Sequence, residues 1–235
     1  MTIPRKSCRI LSFSGKAILS AILFVCLITP DWLGAFSRID FPRAQETMRA
    51  RHGQQALQRL HQWNDMIIVL HNQETAVQLA RVNQFFNRHI RFDDDIAIWG
   101  EQDFWATPLE TLGIGAGDCE DFTIAKYISL RLAGIPDERM RLIYVRARIG
   151  DARTGMDQAH MVLGYYATPN AEPLILDNLI DEIRPASRRP DLFPVFSFNS
   201  EGLWVGGAHN SSADPTARLS RWRALFERMR AEGLR

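Results

Sequence analysis

The order of hydrophobic patterns along the chain predicts an α+β fold, with helices first and an antiparallel sheet after them. Apolar residues recur at helical spacing between residues 44 and 132. From residue 141 the pattern changes to short alternating runs separated by turn residues, and one more helical stretch closes the chain.

At the N-terminus, Arg5, Lys6 and Arg9 precede an apolar core from Ala17 to Ile28 that closes at Thr29-Pro30. That core is shorter than the roughly 20 residues a membrane span needs, and the layout is that of an export signal. Gly34 and Ala35 are small residues suited to a cleavage site, so residues 1–35 are expected to be a leader and 36–235 the mature domain. An uncleaved anchor is the alternative, because apolar character resumes from Trp32 to Phe36. Cys26 follows Phe24 and Val25, where a lipidated cysteine would follow small residues.

Met48, Leu57, Leu60, Trp63, Ile67 and Leu70 mark a helix from Ala44 to about Leu70, with Gly53 weakening one turn. A second helix is expected from Glu74 to His89, burying Val77, Ala80, Val82, Phe85 and Phe86. Arg91-Phe92-Asp93-Asp94-Asp95 ends that periodicity, and Ile96 to Glu110 reads as an aromatic-rich loop. A third helix begins at Cys119 with Asp118 as N-cap and stops at Gly134-Ile135-Pro136. Strands are expected over Arg141 to Arg148, Ala159 to Tyr166 and Pro173 to Asp177, with one or two more from Phe193 to Val205. Pro215 to Leu234 reads as the closing helix.

Lys and Arg total 28 against 27 Asp and Glu, a balance that argues against nucleic-acid binding. The basic stretches Arg184 to Arg189 and Arg218 to Arg235 read as solvated surface. With Cys8 and Cys26 in the leader, Cys119 is the single thiol of the mature chain. Unpaired in an exported protein, it calls for a chemical explanation.

A thiol attacks as thiolate, and an ordinary cysteine, with a pKa of about 8.5, is mostly protonated at neutral pH. A helix N-terminus and a neighbouring imidazolium both favour the anion. The helix start also offers the Cys119 N–H to a developing oxyanion, and Gly113, Gly115 and Gly117 allow close approach of the backbone. Asp118, Glu120 and Asp121 act against thiolate formation, so a positive charge is needed to offset them.

Six histidines are present. His52, His61, His71 and His89 fall on the N-terminal helices, and His209 falls in a loop. His160 alone begins a strand, where a sheet can hold its ring against a helix N-terminus, as in thiol hydrolases of papain-like fold. An orienting acid should come from the neighbouring strand: Asp177 is in the right place, with Asn178 and Asp181 as competitors.

Asp118-Cys119-Glu120-Asp121, the segment Asp103-Phe104-Trp105-Ala106-Thr107-Pro108, Ala125-Lys126-Tyr127, His160-Met161-Val162-Leu163 and Leu176-Asp177-Asn178 together resemble the bacterial transglutaminase-like cysteine proteinases. Within that family the pattern is most similar to the periplasmic adhesin-releasing proteases of the LapG type. The resemblance spans roughly Ala44 to Gly206. It implies a papain-like, transglutaminase-like core with Cys119 as nucleophile, His160 as base and Asp177 as orienting acid. The implied substrate is the N-terminal region of a large repeat-containing surface adhesin, cut after an Ala-Ala pair so that cells leave a biofilm. The implied inhibitor is the periplasmic domain of an inner-membrane cyclic-di-GMP receptor, LapD-like in type.

Calcium binding is also implied, and it would resolve the puzzle of the acids. Calcium takes about six to eight oxygen ligands, and Asp118, Glu120 and Asp121 are the expected donors. Asp103, or one of Asp93 to Asp95, would add a carboxylate from the preceding loop; the competing explanation is helix-dipole complementation by acids in a first turn. Trp99, Gln102 and Trp105 are candidates to line the cleft, against ordinary loop packing. Two rival functions use the same residues: a transglutaminase-type acyltransferase, and a calcium-stabilised binding module with an inert Cys119. Incorporation of a labelled primary amine into a glutamine peptide without cleavage would identify the first, and slow iodoacetamide alkylation the second.

Overall fold

The computed structural model describes residues 38–150, 155–206, 211, 214–215 and 219–235. The leader and His209 lie outside the described residues.

Asp40 caps the first helix, α1 (Phe41–Leu70), by accepting the Arg43 N–H, and Pro42 fits the first turn, where no N–H is needed. Gly53 does more than weaken a turn: at φ 76° and ψ −167° it divides α1 into two helical pieces. The second helix, α2 (Thr75–His89), buries Val82, Phe85 and Phe86 as expected and Leu79 besides, while Val77 and Ala80 face outward. Gln78 and Asn83 take the buried positions instead. The Gln78 amide satisfies the Leu70 and Ala133 carbonyls, which makes its burial tolerable.

After α2, the two-residue strand β1 (Arg91–Phe92) leads into a four-residue helical turn, α3 (Asp95–Ile98). The region expected to be loop then gives way to α4 (Pro108–Ile114). Thr107, Pro108 and Glu110 form a full capping box: the Thr107 hydroxyl accepts the Glu110 N–H, and the Glu110 carboxylate accepts the Thr107 N–H. Gly115 ends α4 at φ 75°, a conformation that favours glycine. β2 (Ala116–Gly117) runs parallel to β1, with the Arg91 N–H on the Gly115 carbonyl and the Asp93 N–H on the Gly117 carbonyl. This short ladder carries the Asp93–Asp95 segment alongside the start of α5 (Cys119–Leu132).

The sheet is antiparallel throughout, in the order β6-β5-β4-β3-β7-β8: β3 (Met140–Ile149), β4 (Met156–Tyr165), β5 (Leu174–Leu176), β6 (Arg184–Pro185), β7 (Leu192–Phe198) and β8 (Leu203–Val205). α6 (Ser220–Ala231) closes the described chain, and an Ile39–Leu234 bridge ties it back to the entry of α1. Met140, Leu142, Met161, Leu163 and Leu176 turn one sheet face to the helices, and Ile143, Val145, Val162 and Ile175 form a second cluster on the other.

At the helical end of the core, Trp222 is fully buried among Trp105, Tyr127, Phe198 and Phe226, with ring centroids 4.6–6.4 Å away. Trp222→Ala is expected to cost about 3–5 kcal/mol of stability, because neighbouring rings cannot collapse into the space. Denaturant unfolding measures it; a loss below about 1 kcal/mol would show that α6 does not anchor this core.

Candidate active site

α5 begins where the chain must leave β2 and enter the core, and Asp118 makes that turn possible. Its carboxylate accepts the N–H groups of Glu120 and Asp121 at 3.1 and 3.4 Å, two of the donors a helix start leaves unpaired. Gly117 is required beside it, since a Cβ there would lie 2.8 Å from the Asp121 side chain. Cys119 is therefore the first residue of a buried helix, with its thiol half-buried.

The first turn of α5 docks at the point where β5 ends. Pairing of β4 with β5 stops at Leu163–Leu176, which frees the outward-facing groups of Met161. The Thr123 hydroxyl, one turn after Cys119, donates to the Met161 carbonyl at 3.0 Å, and the Met161 N–H faces the Cys119 sulfur. The nucleophile candidate thus sits against the residue next to His160.

His160 is buried, and its Nε2 lies 2.8 Å from Asp177 Oδ1. Of the three acids or amides considered, Asp177 is the partner; Asp181 instead accepts from the Asn87 amide. The Leu179 N–H and the Arg189 guanidinium also hold the Asp177 carboxylate. Burial alone would raise its pKa, but the bond and charge of His160, the Leu179 N–H and Arg189 outweigh burial and bring it to about 2. Its contribution to folding is therefore full above the unfolded carboxylate pKa of about 3.9 and is lost as pH falls through about 2.

With Nε2 engaged by Asp177, Nδ1 is the ring nitrogen left to exchange a proton with a thiol. The thiol of Cys119 instead donates to Glu120 Oε2 at 2.7 Å, and no hydrogen bond joins it to His160. Burial, then the charges of Glu120 and Asp118, push the Cys119 pKa up.

The acids form two connected groups, Asp118 with Cys119 and Glu120, and Asp95 with Asp118 and Asp121; within each, the ligand atoms lie within 4.8 Å of one another. Asp95 accepts the Phe104 N–H at 2.5 Å and Asp121 accepts the Ala106 N–H at 2.7 Å, each with one oxygen. Their other oxygens, Asp95 Oδ1 and Asp121 Oδ2, are buried with no protein partner. Burial and mutual repulsion push Asp95 up to about 6 and Asp118 up to about 7, and raise Asp121 well above the usual range. Orphaned hard oxygens converging in a buried site suit a hard divalent cation.

Asp103 belongs to neither group; it accepts from the Trp105 indole at 2.9 Å and pairs with Arg221 at 3.0 Å. Trp105 is core, stacked on Phe198, and Trp99 packs on Phe104. Arg189 corrects the reading of residues 184–189 as solvated surface: it is buried, bound to Asp177 on one side and Asp191 on the other. Nothing in its local sequence distinguishes it from its exposed neighbours. A cavity of about 280 Å³ on the far sheet face includes Arg189 in its wall but none of Cys119, His160 and Asp177.

A family model described as bacterial transglutaminase-like cysteine proteinase matches residues 50–205. Among solved structures, Legionella pneumophila LapG in an EGTA-treated form is 38% identical with a TM-score of 0.70, covering 80% of this chain and 96% of that one. Calcium-bound Legionella pneumophila LapG is 38% identical with a TM-score of 0.69, covering 80% and 98%. No match is found among proteins of curated function.

Proposed function

The chain belongs to the bacterial transglutaminase-like cysteine proteinases, and from that premise we propose that it is a calcium-dependent periplasmic endopeptidase that releases a large surface adhesin. The observation that carries the catalytic part is the His160–Asp177 pair, held on the strand whose next residue, Met161, receives the first turn of the Cys119 helix.

In the reaction, the Cys119 thiol turns from Glu120 to His160, and Nδ1 takes its proton. The sulfur attacks the carbonyl carbon of the scissile bond, and the oxyanion forms near the Cys119 N–H. His160 then protonates the departing amine as the C–N bond breaks, and water hydrolyses the thioester with His160 as base. Asp177 keeps the ring in the tautomer that presents Nδ1 and stabilises the imidazolium. Asp95, Asp118 and Asp121 would hold the calcium ion, with Glu120 adjoining them. When bound, calcium supplies the positive charge that offsets these carboxylates and so favours the thiolate.

Asp177→Asn is expected to lower kcat by about 10⁴-fold with the fold retained, the scale for losing the orienting carboxylate of a triad. An unchanged kcat would remove Asp177 from the mechanism. Export, cleavage after an Ala-Ala pair in the adhesin, biofilm dispersal and inhibition by the receptor's periplasmic domain rest on the family resemblance. Incubating the protein with an adhesin N-terminal segment, with calcium or with chelator, tests the substrate. A pull-down with the receptor's periplasmic domain tests the inhibitor; no cleavage in the first or no capture in the second overturns the corresponding part.

A further inference from the structure

The helices cover one face of the sheet, and on the other Ile143, Val145, Val162 and Ile175 line the cavity of about 280 Å³. Loop residues complete its wall, among them Pro173, Ala186 and Leu192. A mostly apolar lining with a few polar groups is the make-up of a ligand pocket, and pockets for small molecules begin at about 300 Å³. A small occupant suits this one.

The sequence opens the cavity at one position. Arg141, Gly164 and Ile175 stand in a row across β3, β4 and β5, so the middle of that row carries no side chain. A Cβ on Gly164 would lie 2.6 Å from Cδ1 of Ile143 and 3.3 Å from the Tyr166 ring. The glycine is what lets Ile143 and Tyr166 take their places in the wall.

The charged residues that line the cavity are two arginines, and no acidic residue among the described ones joins them. Arg189 is neutralised: its Nε and Nη2 are held by Asp191 and Asp177, while its Nη1 is buried without a hydrogen-bond partner. Arg141 is not neutralised. Its guanidinium lies over the rings of Trp204 and Tyr166, 3.9 and 4.9 Å from their centroids, and no described carboxylate pairs with it. The acids nearest in sequence to the cavity loops are engaged elsewhere, Glu172 by the Ser187 N–H and Asp191 by Arg189. Burial lowers the Arg141 pKa, and only Tyr166 acts against it. An apolar cavity thus carries one rigidly held cation that lacks an anion.

We propose that this cavity binds a small acid with an apolar body, its carboxylate on the Arg141 guanidinium and its hydrocarbon part against Ile143, Val145, Val162 and Ile175. A guanidinium matches a carboxylate in shape as well as charge, and the stacked rings fix its orientation in advance. The site is separate from Cys119, His160 and Asp177, so it stands or falls independently of the peptidase reading.

Octanoate is the probe, titrated into the protein and followed by ligand-observed NMR, with chelator present so that no bound cation attracts the carboxylate. It is expected to bind with a Kd on the order of 1 mM, and octylammonium at least about tenfold more weakly, because the charge-assisted bond to Arg141 is then replaced by repulsion. Arg141→Gln should weaken octanoate about tenfold and abolish the preference for the acid. Ala186→Phe, which fills the cavity from its rim, should remove binding with the Tm retained, and Cys119→Ala should bind as the parent does. Equal binding of acid and amine by the parent, or no binding of octanoate at all, overturns the proposal. So does unchanged affinity in folded Arg141→Gln. A peptide with a free apolar C-terminus should bind no better than octanoate; if it alone binds, the occupant is a chain end and the small-acid site is dismissed.

Discussion

Cys119→Ala is expected to abolish peptide cleavage, with a loss on the order of 10⁴-fold or more in kcat, while the unfolding midpoint stays close to that of the parent. The two halves of this expectation have separate origins. In the proposed mechanism the sulfur forms the covalent intermediate, and no neighbouring group replaces it: Glu120 is an acceptor, and without the thiol His160 has no nucleophile to deprotonate. The fold loses little, because Asp118 caps α5 and Thr123 ties it to Met161 whether or not the thiol is present. Cleavage of the adhesin segment by this variant at the parental rate would remove Cys119 as nucleophile. Collapse of the fold instead would show that the thiol is structural.

Calcium is expected to raise the Tm of chelated protein by roughly 5–10 °C at a concentration about a hundred times its Kd, and to restore activity. A ligand at that saturation stabilises by about 2.7 kcal/mol, and each kcal/mol shifts the Tm of a domain this size by about 2–4 °C. The source is the cluster of Asp95, Asp118 and Asp121, whose repulsion is uncompensated without the ion. Asp95 and Asp118 have folded pKa values raised to about 6 and about 7, so the folded chain binds more protons than the unfolded one between about pH 4 and 7. Chelated protein should lose stability as pH rises through that window, and the gain from calcium should grow in step. Differential scanning calorimetry at pH 5 and pH 8, with calcium and with chelator, measures both. Equal Tm values with and without calcium at pH 8 would dismiss the cation site.

The three residues proposed for catalysis stand out in the sequence because each sits where local pattern is strong. Cys119 follows an N-cap acid and a glycine run, His160 opens an apolar strand, and Asp177 ends another. The helices and strands were legible for the same reason, since hydrophobic period is a property of neighbours in the chain. α4 was legible too, through the capping box of Thr107 and Glu110, but the aromatic residues before it drew the reading toward a loop. Gly53 is different: whether a glycine weakens or breaks a helix depends on where the two halves must pack.

The sequence by itself determined the α+β order and singled out a thiol at a helix start, an imidazole on a strand and an acid at the end of the next, because periodicity, capping and residue chemistry are local. Only the tertiary structure decided which acid meets the imidazole, which aspartate from the preceding loop joins Asp118 and Asp121, and that Arg189 is buried against Asp177. The physical reason is that burial and charge pairing depend on groups far apart in the chain. The end of β5, the first turn of α5 and the β1–β2 ladder meet only after the sheet has formed, and no window of sequence contains all three.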